Sequence, residues 1–455
     1  MSEMRRIDPK YLSIAFTDRN LCARSGTCIG ACPEKALSVG EDFYPKLDPE
    51  KCTECGLCEK VCPGGRVNFK TLTETTFGHG NDDVGFDGHV QSVYVGYASD
   101  ERIRAGGAGG GVVTGLLWDL LRHGKVDGCI VTRMNPKKPW HGEAFIARTY
   151  EDLLESQQSK YIVIPLNSIL TEIRDSPGRY AVAALPCHIH GLRMLQREGD
   201  ATVGKLSVIV GLFCASAMVP NIALDMMAMR GVDSRDVVNF GFRDGDWPGQ
   251  IRATMRDGRK IALHESNFKD GAINYMTYLY SPFRCQTCID GSAEFSDISV
   301  SDAWTRDEFG KYVFSGQSKL LARTEIGVRV MHDAINSGTL VAHDVTEDAS
   351  YKTHRLHTVK KGRNAPLRVA RLGQQGRPVP QYDRVPAVPS PQERLAELAE
   401  SFVMWLGRHP KIRYPLFWFL TSKYGWPFIA IRQRIKRRKY RGKRTARAMP
   451  EVGET

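Results

Sequence analysis

Seven of the twelve cysteines lie between Cys22 and Cys62, and their spacing repeats. A shift of 30 residues lays Cys22 on Cys52, Cys28 on Cys58, Cys32 on Cys62 and Pro33 on Pro63. The second half reads Cys-x2-Cys-x2-Cys-x3-Cys-Pro. That spacing closes three thiolates around one iron-sulfur cube and sends the fourth to a neighbouring cube, as in two-cluster bacterial ferredoxins. Cys52, Cys55, Cys58 and Cys32 are therefore expected on one 4Fe-4S cluster. The first half has Ser25 at the position matching Cys55. The companion cluster is left with Cys22, Cys28 and Cys62, and with a serine oxygen, a water or nothing at its fourth iron; a 3Fe-4S centre or a labile cube is expected. A zinc module would use closed sets of four ligands and leaves the doubled, proline-terminated pattern unexplained. Disulfides do not suit a chain whose start shows no export signal.

A chain of 455 residues has room for two or three domains and a sizeable core. It contains no uninterrupted apolar run of about 18 residues, so no spanning helix is expected and a reducing cytoplasm is the consistent location. The formal charge of +12 is local: residues 432–447 carry ten Lys or Arg and no acid, leaving about +2 for the rest.

Behind the cysteine-rich module (1–70), residues 71–88 read as a polar connector. Strand-like runs follow at 92–97, 126–131, 180–185 and 206–213, with helical patterns at 167–173 and 189–195, an alternation that predicts an α/β domain over about 90–365. A loop of Gly106, Gly107, Ala108, Gly109, Gly110 and Gly111 runs into a helical apolar pattern from Val112. Such a loop brings bare N–H groups and a helix dipole to one point, which suits a phosphate, and it serves equally well as a tight turn packed on a helix. Two strands end in Leu185-Pro186-Cys187 and Phe213-Cys214, at the sheet edge where ligands gather in open α/β folds. With Cys285-x2-Cys288 they make four thiols, enough for a third cluster, and leave Cys129 as a core residue. A hairpin is expected over 251–263, turning at Asp257-Gly258. Asp297 and Asp302 carry no assigned chemistry, since capping or ion pairing explains them equally well.

Taken together, Gly110-Gly111-Val112-Val113-Thr114, Ser159-Lys160-Tyr161, Leu185-Pro186-Cys187, Phe213-Cys214, the 242–249 segment, Cys285-x2-Cys288 and the 297–304 segment resemble, in order, the family of coenzyme F420 hydrogenase/dehydrogenase beta subunits. The resemblance covers roughly 90–335 and implies an iron-sulfur flavoprotein oxidoreductase. It would carry FAD in preference to FMN and pass electrons between clusters and a hydride-type carrier such as coenzyme F420, or another small substrate. It also implies that Gly109, Gly110, Gly111 and Thr114 lie near the flavin diphosphate, and Lys160 and Tyr161 near the flavin. Lys160, the one catalytic candidate, would either stabilise negative charge on the reduced ring or form a surface salt bridge. Two departures bear on the substrate: Ala108 and Gly109 stand where the family often has serines, and His188 where glutamine commonly follows the Leu-Pro-Cys motif.

Residues 366–392 are proline-rich and read as a linker, followed by a helical extension over 393–455 that is rich in aromatics and ends in the basic run. Aromatics beside cations suit an anionic membrane surface; a helix packed on the body with a solvated end is the plainer reading. No nucleic acid is expected, because no base-reading motif accompanies the basic run. Besides the oxidoreductase, two other functions fit the sequence: an electron-transfer subunit, feeding a partner reductase or biosynthetic enzyme, and a peripheral membrane adaptor with structural clusters. The first two call for a one-electron protein partner.

Overall fold

The repeat in the cysteines is also a repeat in the backbone. In the computed structural model, which describes residues 7–78, 87–264, 278–305, 312–347, 358–384, 388–425, 427 and 431, helices α1 (Thr27–Ala31) and α2 (Leu57–Lys60) each begin behind a left-handed glycine, Gly26 at φ 79° and Gly56 at φ 73°. Two residues earlier in each half, Arg24 and Glu54 are also left-handed, at φ 52° and 57°. A short hairpin, β1 (Leu37–Val39) with β2 (Pro45–Leu47), separates the halves.

Behind β3 (Arg66–Val67), the supposed connector begins as a helix, α3 (Phe69–Phe77). Asn68 caps it by accepting from the Thr71 N–H at 2.8 Å. Its polar composition hides an inner face of Phe69, Leu72 and Thr73, all buried. Residues 79–86 lie outside the described set.

The large domain is built on β4 (Ser92–Ala98), α4 (Glu101–Gly106), α5 (Val112–Arg122), β5 (Gly128–Met134), β6 (Gly142–Ala147), α6 (Tyr150–Glu155), α7 (Leu170–Ile173), β7 (Tyr180–Ala184), α8 (Pro186–Arg197) and β8 (Leu206–Leu212). The four expected strands are β4, β5, β7 and β8, and the expected helices at 167–173 and 189–195 are a 3-10 turn running into α7, and α8. There follow α9 (Asn221–Met229), β9 (Val237–Asp244), β10 (Gln250–Met255), β11 (Lys260–Ala262), α10 (Phe283–Gln286), β12 (Ile298–Asp302), β13 (Ser318–Ala322), α11 (Glu325–Asn336) and β14 (Leu340–Asp344).

Eight strands form one mixed sheet in the order β14-β4-β13-β12-β8-β7-β5-β6. Its centre, β12, β8, β7 and β5, is parallel and its margins are antiparallel. Because β13 runs against both β12 and β4, the carboxyl ends of β4, β7, β8 and β12 open on one edge. Leu116, Leu117 and Leu120 of α5 pack with Met331 and Ala334 of α11 on one face. The other face is covered by Ile189, Leu192 and Leu195 of α8 together with Val61, Phe69 and Leu72 from the N-terminal module, so that module is part of the core. The expected hairpin is β10 and β11, with Gly258 at φ 85° in its turn.

The stretch read as a linker is folded. A π-helical turn (Thr358–Asn364) leads into α12 (Ala365–Gln374), and β15 (Gln381–Tyr382) pairs in parallel with β3. Asp383 then accepts from the N–H groups of Phe69 at 2.7 Å and Lys70 at 2.9 Å, at the start of α3. Pro366 is accommodated because it sits in the first helical turn, where its missing N–H has no helical partner to lose. The expected helical extension comprises α13 (Pro391–Gly407) and α14 (Pro410–Thr421), with the basic run outside the described residues. Glu397 of α13 is buried between Arg368, at 3.1 Å, and Arg371, at 2.9 Å. Replacing Glu397 with alanine leaves Arg371 without its counter-charge and Arg368 with Glu400 alone, and is expected to cost about 3 kcal/mol. A lowered Tm of the cofactor-loaded protein, with the Asp or Gln variant less affected, would show it.

Candidate functional site

The N-terminal module contains two separate cysteine-lined cavities. One is lined by Cys32, Cys52, Cys55 and Cys58. The other is lined by Cys22, Cys28, Cys62 and Ser25. The Cys32 and Cys62 thiols thus cross over between the two halves of the repeat, as the spacing predicts. Burial pushes the thiols of Cys22 and Cys58 up to about 12 and drives that of Cys28 well above its ordinary range. Thiols this poorly solvated are held as thiolates only against a cationic partner, and metal binding would release their protons. The Ser25 hydroxyl, almost fully buried, lies 2.9 Å from Thr27 Oγ1 and accepts from the Thr27 N–H at 3.4 Å, so it is already engaged at the start of α1. Among the described residues no three His, Cys, Asp or Glu side chains converge on a single metal ion. A cube spreads its thiolates over separate irons, whereas one zinc ion would need them in contact with a single centre.

The four remaining candidate thiols also gather. Cys187 opens α8, Cys214 follows β8, and Cys285 and Cys288 flank the end of α10. The Cys187 thiol is driven well above its ordinary range by burial and by the neighbouring Cys285, Cys214 and Cys288, and burial pushes Cys214 up to about 12. Two buried cations accompany them. Lys361 donates to the Cys285 carbonyl at 2.8 Å, and Arg284 is immediately adjacent in the chain. Arg284 reaches back to the N-terminal module, donating from Nη2 to the Pro63 carbonyl at 2.5 Å and from Nε to that of Gly64 at 3.1 Å. Its Nη1 donates to the Tyr382 hydroxyl at 2.8 Å. One guanidinium therefore stands between Cys62 and the four-cysteine set. Cys129 is buried in β5, as expected of a core residue.

The glycine loop lies on the same sheet edge. Gly110 and Gly111 are left-handed, at φ 73° and 70°, and α5 starts behind Gly111 with no side-chain cap. A Cβ on Gly110 would approach the Gly316 carbonyl to 2.9 Å, and one on Gly109 would approach Asp302 Oδ1 to 2.6 Å. Thr114 is buried in the first turn of α5. Asp302, at the end of β12, receives a two-pronged bond from Arg243: Nη1 to Oδ2 at 2.8 Å and Nη2 to Oδ1 at 3.0 Å. Burial works against the Arg243 charge, but Asp302 more than offsets this and holds its pKa above the ordinary value. Tyr161 packs edge-on against Phe242 at 5.8 Å and interacts with Arg243. Trp247 and Trp304 lie 4.9 Å apart over this cluster, and Trp247 Nε1 donates to Asp302 at 3.4 Å. Arg243, Asp302, Trp247 and Trp304 are the site residues to which sequence reasoning gave no role. The 242–249 and 297–304 segments carried them, but their pairing across 59 residues has no local signature.

Three residues singled out in the sequence are held by local contacts. Lys160 makes no surface salt bridge: half-buried, its Nζ donates to the carbonyls of Ser156, Gln157 and Gln158 at 2.5, 2.7 and 3.1 Å, and burial pulls its pKa down to about 7. His188 meets backbone at both ring nitrogens. It accepts from the Leu185 N–H at Nδ1 (3.2 Å) and its Nε2 lies 3.1 Å from the Ile164 carbonyl, with burial lowering its pKa to about 4. Asp297 is structural, accepting from the Ile209 N–H at 2.7 Å and from Thr324 Oγ1 at 2.9 Å.

Comparison with known proteins agrees with this arrangement. Residues 93–171 match the N-terminal part, and residues 178–348 the C-terminal part, of the family described as coenzyme F420 hydrogenase/dehydrogenase, beta subunit; residues 21–65 match the 4Fe-4S dicluster domain. The chain belongs to this family of coenzyme F420 hydrogenase/dehydrogenase beta subunits, which are iron-sulfur oxidoreductases, and carries a dicluster domain in front of it. It is 27% identical to the coenzyme F420-dependent sulfite reductase of Methanocaldococcus jannaschii, over 69% of this chain but only 46% of that protein. It is 26% identical to a subunit of the F(420)H(2) dehydrogenase of Methanosarcina mazei, over 70% of this chain and 83% of that one. A chain of the F420-reducing [NiFe] hydrogenase complex from Methanosarcina barkeri shares the fold, with a TM-score of 0.50 at 20% identity over 64% of this chain and 96% of that chain.

Two outcomes are expected. A third cluster on the four-cysteine set would make Cys285→Ser lower iron by about four per chain while leaving the dicluster signals of the N-terminal module, as read by iron and sulfide analysis with electron paramagnetic resonance. Arg284→Gln should lower the potentials of the centres on both sides of it by roughly 50–100 mV, since a buried positive charge favours the reduced state. Arg284→Lys should restore most of the shift in an electron paramagnetic resonance redox titration.

Proposed function

We propose that this protein is an iron-sulfur flavoprotein that exchanges electrons between a hydride-type carrier, coenzyme F420 or a similar small molecule, and a one-electron protein partner. The observation that carries the reading is the arrangement of the sites. The glycine loop, the Arg243–Asp302 pair and the cysteines that follow β7 and β8 share the carboxyl edge of the sheet, Arg284 joins the four-cysteine set to the carbonyl beside Cys62, and Cys55 of the other N-terminal cavity is exposed. A bound flavin, FAD in preference to FMN, supplies the conversion between two electrons taken as hydride and electrons passed on singly.

The residues fit that group. Gly109, Gly110 and Gly111 allow a diphosphate to approach bare N–H groups at the positive end of α5, where any Cβ would collide with neighbouring backbone or Asp302. Asp302 fixes the Arg243 fork, and Tyr161 is held against that fork by Phe242. Trp247 and Trp304 exclude water from the same space. Lys160 Nζ tightens the turn behind α6 that leads to Tyr161 by donating to three of its carbonyls. Cys187, Cys214, Cys285 and Cys288 would hold a third 4Fe-4S cluster, with Arg284 and Lys361 compensating its negative charge. Ser25, already hydrogen-bonded, leaves the Cys22/Cys28/Cys62 centre without a fourth thiolate, which favours a 3Fe-4S form.

Asp302→Asn removes the charge that holds Arg243 and should weaken flavin retention at least about tenfold, with iron content unchanged. Flavin released on gel filtration, measured by fluorescence, gives the answer. Full flavin occupancy in the variant would place the flavin elsewhere.

A further inference from the structure

Helix α13 sits with two carboxylates on its inward side. On α13 the buried residues are Glu397, Glu400, Met404 and Gly407. Glu397 and Glu400 are ion-paired to Arg368, Glu400 at 3.2 Å, and Asn364 Nδ2 donates to Glu400 at 2.6 Å. The outward side is apolar: Leu395 is 69% exposed, Leu398 47%, Phe402 59% and Trp405 47%. These residues follow helical spacing on one face, and the Phe402 and Trp405 rings stack at 5.9 Å. Ile412, Tyr414 and Trp418 extend the exposed apolar surface along α14 while Phe417 is buried beneath. Among the described residues, nine of the fifteen exposed large hydrophobic side chains fall between Leu395 and Ile431, so this is a concentrated patch and not ordinary scatter.

The sequence from the end of α13 to Pro450 carries charge of one sign. From Ser401 to Pro450 the sequence contains fourteen Lys or Arg and no Asp or Glu. We propose that the outward face of α13 and α14, together with the cationic residues that follow them in sequence, docks this protein on an anionic lipid bilayer. The ion pairs under α13 hold the apolar side chains outward, Trp and Phe enter the headgroup boundary, and the cations meet lipid phosphates. No described helix is long and apolar enough to cross a membrane, so contact is with the surface. A second copy of the chain would bring like charges together across the patch. A nucleic acid would satisfy the cations but leave the Leu, Phe and Trp face in water.

Flotation of the full-length, cofactor-loaded protein with vesicles of phosphatidylcholine alone, or of phosphatidylcholine with phosphatidylglycerol, tests this. Binding is expected to the phosphatidylglycerol vesicles only, and should weaken as salt rises. Phe402→Ser with Trp405→Ser should reduce bound protein at least about tenfold, since two apolar anchors are lost. Both side chains are exposed, and unchanged iron and flavin content shows that the variant is folded. Replacing Lys436, Arg437, Arg438 and Lys439 with glutamine should weaken binding to a similar degree. Equal flotation of the Phe402/Trp405 variant and the parent would overturn the proposal, as would the absence of binding to either vesicle. A dimer that the same two substitutions dissolve, seen by analytical ultracentrifugation, would assign the face to a second copy instead.

Discussion

The buried Arg284 guanidinium ties the two halves of this molecule together. It satisfies the carbonyls of Pro63 and Gly64, which follow directly on Cys62, while its own chain neighbour is Cys285. A buried cation is costly unless it is both hydrogen-bonded and compensated. Here two carbonyls of the N-terminal module and the Tyr382 hydroxyl accept its hydrogen bonds, and the compensating charge would come from thiolates of both domains. Electron transfer between centres needs them fixed at short range, and a flexible tether between modules would not provide that. The docking is reinforced around it. Gly26 and Gly30 of the N-terminal module approach the backbone at Pro165–Ser168 too closely for a side chain, and β15 returns to pair with β3.

The chemistry is laid out along one edge of the sheet because of strand direction. Parallel β7, β8 and β12 deliver Cys187, Cys214 and Asp302 to the same side, and β4, running the same way, delivers the glycine loop. Charged groups buried there are paired or hydrogen-bonded: Arg243 with Asp302, Lys361 with the Cys285 carbonyl, and Lys160 with three carbonyls. Each acts first by holding backbone in position.

Much of this was legible in the chain before its structure. The cysteine spacing shows which thiols share a cavity, because the turn geometry repeats as faithfully as the cysteines do, down to the left-handed backbone at Arg24 and Glu54. The central strands are apolar runs and were legible for the same reason that they are buried. What could not be read depends on contacts far apart in sequence. The Arg243–Asp302 fork spans 59 residues, and Arg284 lies 221 from Pro63. Helix α12 and strand β15 were obscured by prolines that signal a linker locally and are tolerated at a helix start. The inverted burial of α13 is invisible in its amphipathic pattern, since periodicity locates two faces without saying which one faces inward; the arginines on α12 decide that.

An anaerobic reductive titration of the purified protein with dithionite, followed by flavin absorbance and electron paramagnetic resonance together, tests the central claim most directly. Three clusters and one flavin should take up about five electrons per chain, one for each cluster and two for the flavin, with bleaching of the flavin accompanied by cluster signals. Uptake of about two electrons or fewer with no flavin bleaching would leave only the dicluster module and contradict the circuit described here.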